Sequence, residues 1–326
     1  MRTLTCSIEK SNFEDIKEFK TMIFKSAFAV LNPCINEDEK KEIINFLPQI
    51  TEQSRLHPLL FQIAAGKKTI ANINPYEREQ ICKMFSVESS SSKVEYLTYD
   101  EPDLNKKNIL DWSNYFVEFQ RRHRSITNSA PPKFNYGNDT SETAIKHLED
   151  SLVHLKIAWP EMRQLTDCLL THICFLKSDY FESGCMMGSF GAVYLSPSDY
   201  WTFDYFIEVL VHEVSHLQMM IYEKNYSFVI NTGEISDSPL RKDLRPMLGV
   251  LHAVLALVRM AEVALRLTKH PHPNQQKAVE SFELNIKRLK GGIEILKTRA
   301  QLTEHGKILL SSIESRKEIL LSAFQK

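Results

Sequence analysis

A five-residue pattern of metal-binding type lies within one long apolar stretch of this sequence. His212-Glu213-Val214-Ser215-His216 stands inside the apolar run 206–221. Residues four apart share one face of a helix, so both imidazoles can reach the same metal ion. Glu213 projects about 100° away from His212, close enough to touch what the metal binds without being a ligand. The pattern predicts a metal-binding helix that begins near residues 196–199 and ends near Lys224.

The composition is that of a soluble globular protein with balanced charge. Forty Lys and Arg residues stand against 41 Asp and Glu residues, and no basic stripe is rich enough to follow a phosphate backbone. We therefore expect no nucleic-acid partner. The six cysteines show no Cys-x-x-Cys spacing and no signal-peptide pattern opens the chain, so we expect reduced thiols and a cytoplasmic location. The most apolar segment, 247–258, is too short to cross a bilayer and predicts a buried helix with no membrane partner.

Hydrophobic periodicity predicts a mainly α (α+β) fold, a helical bundle with a small β-sheet beside a zincin-like metal helix. Apolar residues at helical spacing, together with capping and breaking residues, predict helices at 12–31, 36–48, 53–65, 75–85, 108–122, 140–155, 160–170, 246–269, 274–300 and 303–324. Short β-prone runs at 172–176 and 191–195 predict the sheet.

Residues 129–139 have the composition of a linker, which predicts that the chain is divided there into two domains. This stretch contains Pro131-Pro132 and Gly137. Residues 1–135 would form an N-terminal helical module with a possible role in peptide recognition. Residues 136–326 would form the metal-binding catalytic domain with the C-terminal helices.

Two histidines do not hold a catalytic metal, so a third ligand decides the chemistry. Glu234, 18 residues after His216, is the candidate third ligand for a thermolysin-like peptidase. However, Gly233 and Pro239 indicate that its segment is a loop. His252 lies in a stretch otherwise without polar side chains, where an imidazole needs a partner for its ring nitrogens. We favour three histidines at one ion, and Gly249 predicts a close approach of another helix.

Four motifs between Ser141 and Met260 also carry a family resemblance. They are Ala158-Trp159-Pro160, the run 191–196, the run 210–216, and the run 238–246 leading into 249–252. In this order they resemble the His-Glu-x-x-His proteins of peptide natural-product gene clusters, understood as iron(II)- and 2-oxoglutarate-dependent peptide β-hydroxylases. Leu240 replaces an aromatic residue of that pattern and Leu244 replaces a proline, and no charged or ligand residue is lost.

The resemblance implies an oxygenase that hydroxylates the β-carbon of a residue in a ribosomally made precursor peptide. Iron(II), held by His212, His216 and His252, would keep three positions for 2-oxoglutarate and O2; the commoner set is two histidines and a carboxylate. The distal carboxylate of 2-oxoglutarate needs a fixed cation, for which Arg245 is the first choice and Arg241 the second. Glu213 would orient a ligand, water or substrate amide.

Two other functions remain open from the sequence. A zinc metallopeptidase would use Glu213 as general base and complete its site with Glu234 or His252. A non-catalytic protein would bind the precursor peptide through a degenerate site. Whichever of these functions the protein has, we expect it to recognise its peptide through the N-terminal module or through the strand at 191–195 by edge pairing.

Overall fold

The chain passes back and forth between two structural units in the computed structural model. The helical unit comprises Met1–Ser11, Glu142–Thr166 and Asp199–Lys326, and the mixed unit comprises Asn12–Ser141 and Asp167–Ser198. The structure describes residues 7–8, 10–31, 37–52, 54, 56, 58–64, 95–97, 134–135, 141–178, 182–198, 201–270 and 274–325. The helices predicted at 75–85 and 108–122 lie outside these residues.

The prediction of a mainly helical protein with a small sheet is confirmed. The helices of the described residues are α1 (Lys10–Leu31), α2 (Glu37–Phe46), α3 (Pro58–Ala64), α4 (Ser141–Ala158), α5 (Pro160–Leu169), α6 (Phe203–Asn225), α7 (Met247–Thr268), α8 (Gln275–Arg299) and α9 (Glu304–Phe324). The strands are β1 (Glu95–Leu97), β2 (Phe134–Asn135), β3 (His172–Phe175), β4 (Lys177–Ser178), β5 (Ser183–Cys185), β6 (Ala192–Leu195), β7 (Ile235–Ser236) and β8 (Arg245–Pro246).

Helix α7 forms the buried centre of the helical unit. It is long and apolar enough to cross a membrane, but 83% of its most apolar window is buried against the rest of the protein. Helices α6, α8 and α9 all pack on it. A helix that is apolar on all sides is expected to be buried on all sides. Helix α7 is therefore a core helix, as predicted.

The close helix approach predicted at Gly249 occurs elsewhere. A Cβ at Gly249 would meet only the Arg245 Cβ, at 3.9 Å, which is an ordinary contact. A Cβ at Gly292 of α8 would lie 2.6 Å from a methyl carbon of Val254 on α7. The prediction for Gly249 is therefore wrong, because α8 approaches α7 closely at Val254, five residues further along α7, and α8 supplies the small residue itself.

A four-stranded sheet lies in the mixed unit, in the order β1-β3-β6-β5. Strand β3 runs parallel to both β1 and β6, whereas β5 is antiparallel to β6. Gly191, just before β6, has a φ of 94°, and a Cβ there would lie 2.8 Å from the Thr171 Oγ1. Only glycine combines this backbone conformation with such close packing.

The prediction that the strand at 191–195 binds a peptide by edge pairing is wrong. Strand β6 lies between β3 and β5, so both of its backbone edges already hydrogen-bond within the sheet. Among the described strands of this sheet, β1 and β5 are the edges. A run of five apolar residues has the same appearance in an interior strand and in an edge strand, and the sequence could not separate them.

Two further features differ from the sequence-based expectations. The two units are not divided at a single position near residue 135, since residues 167–198, which contain three of the four strands of the sheet, belong to the mixed unit. Helix α6 begins at Phe203 instead of near residues 196–199, and Thr202 precedes it without a side-chain capping bond. The motif itself lies within α6, as predicted.

Candidate metal centre

Three imidazoles from two helices of the helical unit come into contact. His212 and His216 lie one turn apart on α6, and their Nε2 atoms are 2.8 Å apart. His252 on α7 stacks on His216 with ring centroids 5.4 Å apart, and the two Nδ1 atoms are 3.3 Å apart. The packing of α7 against α6 thus brings together the three histidines that the sequence singled out.

The two contacts of His216 use opposite ring nitrogens. Its Nε2 faces His212 and its Nδ1 faces His252. Two ligand nitrogens at right angles, each about 2.1 Å from one ion, lie about 3 Å from each other, so the His212 and His216 pair has the spacing of two ligands of a single metal. Within the part of the chain that the structure describes, no three His, Cys, Asp or Glu side chains are placed as a finished metal site.

The protonation state of the motif histidines suits metal binding. Burial, followed by the charge of Arg241 and the neighbouring His252, lowers the pKa of His212 to about 3. Burial is also the main reason that the pKa of His216 lies well below its usual value. Both rings are therefore neutral at neutral pH, and a neutral imidazole is the form that binds a metal.

Two guanidinium groups act on this histidine pair. The charge of Arg241 lowers the pKa of both motif histidines, and that of Arg245 lowers the pKa of His216. The Ser238 Oγ accepts the backbone N–H groups of Leu240 and Arg241, which orders the turn before Arg241. Arg245 lies in β8, is largely shielded from solvent and pairs with Asp243 at 3.4 Å. The centre therefore combines neutral metal-binding groups with a local positive charge.

The two acidic candidates of the sequence lie in different surroundings. Glu213 is 1% exposed, and its Oε1 lies 3.9 Å from the His212 Nε2. Glu234 instead lies on an exposed turn, where it accepts a hydrogen bond from Asn231 at 2.7 Å and is 3.6 Å from the Arg299 Nε. Glu213 is thus part of the centre, whereas Glu234 stabilises the connection between α6 and α7.

Glu223 is a residue of the centre that the sequence analysis missed. Its Oε1 accepts a hydrogen bond from the His252 Nε2 at 2.6 Å. Seven residues after His216 and eleven after His212, it lies within about 20° of each on the helix surface. This spacing was visible in the sequence, but a Glu near a helix end is usually a solvated residue, and only the position of His252 gives it a partner.

A cavity opens beside Glu223 at the end of α6. Its volume is about 370 Å³, and its walls include Glu223, Tyr226, Phe228 and Leu248. Phe228 is buried and Tyr226 is half-buried, with its ring 4.8 Å from that of His305. Glu223 is thus shared by the centre and the cavity, while none of the three histidines lines the cavity.

One turn before the motif, Glu208 makes the stability of α6 dependent on pH. Its carboxylate accepts hydrogen bonds from Ser281 and Asn285 of α8, and burial is the main reason that its pKa is raised. A carboxyl group whose pKa is higher in the folded state stabilises the fold below about pH 4.5, the usual value, and this contribution is lost as the pH rises through the folded pKa.

We expect Glu208→Gln to become more stable relative to the wild type as the pH rises from about 4.5 to neutrality, because glutamine has no charge to bury. Guanidinium unfolding of both proteins across this range measures the difference. Glu283→Gln, which changes an exposed acid on α8, serves as the control and should show a constant difference. A constant difference for Glu208→Gln as well would mean that this carboxylate is solvated in the fold.

No protein-family profile matches the sequence, and no curated protein matches it significantly. The case for a function therefore depends on the side chains of the centre and on the motif resemblance of residues 141–260.

Proposed function

We propose that this protein is an iron(II)- and 2-oxoglutarate-dependent oxygenase that hydroxylates the β-carbon of a residue in a ribosomally made precursor peptide. The observation that carries the proposal is the contact of the two motif histidines through Nε2 at 2.8 Å, on a helix packed against the one that bears His252. The charges of Arg241 and Arg245 are near enough to lower the pKa values of these histidines. A metal centre with a fixed positive charge beside it suits a dianionic cosubstrate that chelates the metal at one end. The resemblance of the motifs around these residues points to the same chemistry.

In this proposal each group of the centre has a defined task. His212 and His216 would hold iron(II) through the Nε2 atoms that face each other, and His252, whose Nδ1 faces the other nitrogen of His216 in this structure, would have to turn its ring to become the third ligand. Iron(II) bound together with 2-oxoglutarate would supply the activation of O2. Arg245, the better shielded of the two cations, binds the distal carboxylate, and Arg241 is the second choice. The buried Glu213 accepts hydrogen bonds from a ligand, a water or a substrate amide.

The proposed reaction balances without a further reductant. One oxygen atom of O2 enters the C–H bond of the peptide as a hydroxyl group, and the other enters succinate. Of the four electrons that reduce O2, two come from the oxidative decarboxylation of 2-oxoglutarate, which releases CO2, and two come from the C–H bond that is hydroxylated. The role of the protein is to bind the peptide with the target bond at the metal and to exclude other reactions.

The proposed partner is a precursor peptide, and the proposed location is the cytoplasm. Residues 1–135 remain the first candidate for peptide recognition, since both edges of β6 are occupied. The cavity beside Glu223 is the second candidate, because Glu223 lines it and is hydrogen-bonded to His252, and because its walls include the aromatic side chains of Tyr226 and Phe228.

A zinc metallopeptidase is the second candidate function, favoured by the position of Glu213. A buried carboxylate 3.9 Å from the His212 Nε2 could act as general base on a water bound to a metal held by that nitrogen. Glu234 gives this function little support as third ligand, because it is engaged with Asn231 and Arg299. The peptidase would have to use His252.

Mass spectrometry of a precursor peptide encoded beside this gene distinguishes the two functions. With iron(II), 2-oxoglutarate and O2, we expect the intact peptide to gain one oxygen atom, labelled when heavy-isotope O2 is used, and succinate to form in equal amount. Arg245→Ala should raise the KM for 2-oxoglutarate by about 10- to 100-fold through loss of a charge-assisted pair. Cleavage of the peptide without 2-oxoglutarate would contradict the oxygenase and support the peptidase.

A further inference from the structure

We propose that the cavity at the end of α6 is a binding pocket for a basic side chain, lysine or arginine, of the peptide. The proposal rests on the proposed function only in taking the ligand to be a peptide, and it needs no metal ion. The volume of the cavity, about 370 Å³, is that of a pocket for a small ligand or a single side chain. All of its lining residues belong to the helical unit.

Glu223 gives the cavity a carboxylate with one oxygen still open. Its Oε1 is hydrogen-bonded to the His252 Nε2 at 2.6 Å. Among the residues that the structure describes, no group is hydrogen-bonded to its Oε2, and no lysine or arginine forms an ion pair with it. The side chain is 26% exposed, so water screens its charge only in part. A positively charged donor is the partner that such an oxygen binds most strongly.

The other walls suit the carbon chain and the charge of a basic residue. Phe228 is 1% exposed, and with Val229 and Leu248 it provides apolar surface for the methylene groups. The half-buried ring of Tyr226 lies 4.8 Å from that of His305, which holds it in place. An aromatic ring close to a carboxylate favours a cation through the electrostatic attraction of its face.

Lys224 also lines the cavity, but it does not cancel the effect of Glu223. Residues that follow each other on a helix diverge by about 100°, so the two side chains point in different directions. Lys224 is exposed, and the interactions of an exposed charge are weak because water and salt screen them. An acidic ligand would therefore face the better shielded carboxylate, and an apolar ligand would leave the open oxygen without a donor.

Glu223 joins this cavity to the candidate metal centre. One of its oxygens contacts His252, and the other is left for a ligand in the cavity. A basic residue bound at Glu223 would thus anchor the peptide beside the residue that contacts His252. The selection of the peptide would thereby be linked to the place of the proposed reaction.

The first test compares three small probes and needs neither metal nor turnover. Nα-acetyl-lysine methylamide, its norleucine counterpart without the ammonium group and its glutamate counterpart are titrated into 15N-labelled protein. We expect the lysine compound to bind about 10-fold more tightly than the norleucine compound, through one charge-assisted hydrogen bond, and to shift the amide signals of residues 225–229. Equal affinities of these two probes, tighter binding of the glutamate compound, or no shift with any probe would overturn the proposal.

The second test changes the charges of the cavity one at a time. Glu223→Gln keeps an oxygen for the contact with His252 but loses the charge, so the lysine compound should bind no better than the norleucine compound. Glu283→Gln removes an exposed acid from α8 and changes the net charge equally, and it should bind as the wild type does. Lys224→Gln should change the affinity by less than about threefold. Equal losses in Glu223→Gln and Glu283→Gln would mean that only the overall charge matters, which would overturn the proposal.

A third measurement keeps this proposal separate from the proposed function. If the protein binds the lysine compound but neither hydroxylates nor cleaves the precursor peptide, the proposed function fails and the pocket remains. If the peptide is hydroxylated, replacement of each of its lysine and arginine residues by norleucine should identify one whose loss raises the KM with little change in kcat. A peptide whose KM depends on none of them would overturn the assignment of the cavity to substrate recognition.

Discussion

Replacing either motif histidine by alanine is expected to abolish stoichiometric metal binding and peptide hydroxylation. His212 and His216 are neutral and face each other through Nε2 at 2.8 Å, so each would supply one of the first bonds to the ion. Loss of a group that hydrogen-bonds to a metal ligand weakens metal binding by up to about 100-fold. Loss of a direct ligand should therefore weaken iron(II) or zinc(II) binding by more than this. Turnover should fall to the background.

The measurement combines metal analysis after dialysis with the peptide mass assay. His147→Ala, which changes a half-buried histidine on α4, is the matched control and should keep both metal and activity. Folding of the variants is checked by circular dichroism, since the motif lies on a buried helix. Full metal content and turnover in His212→Ala would contradict the proposed centre and favour a protein that only binds its peptide.

The variant His252→Ala tests whether His252 is the third ligand of the metal. Its ring contacts His216 through Nδ1 and Glu223 through Nε2. If His252 is the third ligand, its removal should cost as much metal affinity as removal of a motif histidine. An effect no larger than that of Glu223→Ala would instead mean that His252 supports His216 from outside the coordination sphere, and the third ligand would have to be sought elsewhere.

Lys20→Met is expected to produce a large loss of stability in the mixed unit. Lys20 on α1 is 1% exposed, and its ammonium group donates hydrogen bonds to the backbone carbonyls of Glu52 at 2.6 Å, Ser54 at 2.7 Å and Cys168. Methionine fills a similar volume but has no hydrogen-bond donor. The three carbonyl oxygens would therefore lose their hydrogen bonds to Lys20 at positions that are at least partly shielded from water. Each such group costs about 1–3 kcal/mol, and removal of the buried charge offsets part of the loss, which gives about 2–4 kcal/mol in total.

Guanidinium unfolding measures this loss, and hydrogen exchange of peptides from α1 assigns it to the mixed unit. Lys25→Met makes the same chemical change at an exposed position of the same helix and should alter stability by no more than about 0.5 kcal/mol. If both variants were equally stable, the three carbonyls would have to be satisfied by water. Helical spacing places Lys20 on the apolar face of α1, four residues after Ile16 and four before Phe24. Only the tertiary structure supplies the three carbonyl groups that its ammonium group contacts there.

Most helices could be predicted from local patterns. Capping and breaking residues predicted α1, α2, α5, α7, α8 and α9 to within a few residues of their ends, since these signals act within one turn of the chain. The motif on α6 and the isolated His252 in an apolar helix pointed to the same centre, because a polar group in an apolar helix must find a partner.

The contact of α6 with α7 and the pairing of β3 with β6 were expected, whereas several other expectations about neighbouring elements failed. The occupied edges of β6, the close approach at Gly292 instead of Gly249, and the return of residues 167–198 to the mixed unit all depend on contacts between distant parts of the chain. Glu223 belongs in the same group, because its partner lies 29 residues away along the chain.

The sequence by itself determined that two imidazoles share a face of α6 and that α7 is buried, because helical periodicity and hydrophobicity are local properties. Only the tertiary structure decided that His252 contacts His216 through Nδ1, that Glu223 holds its other nitrogen, and that Glu234 is engaged with Arg299. The physical reason is that a ring nitrogen or a carboxylate takes its role from the group it meets across a helix–helix contact, and this depends on how the helices pack.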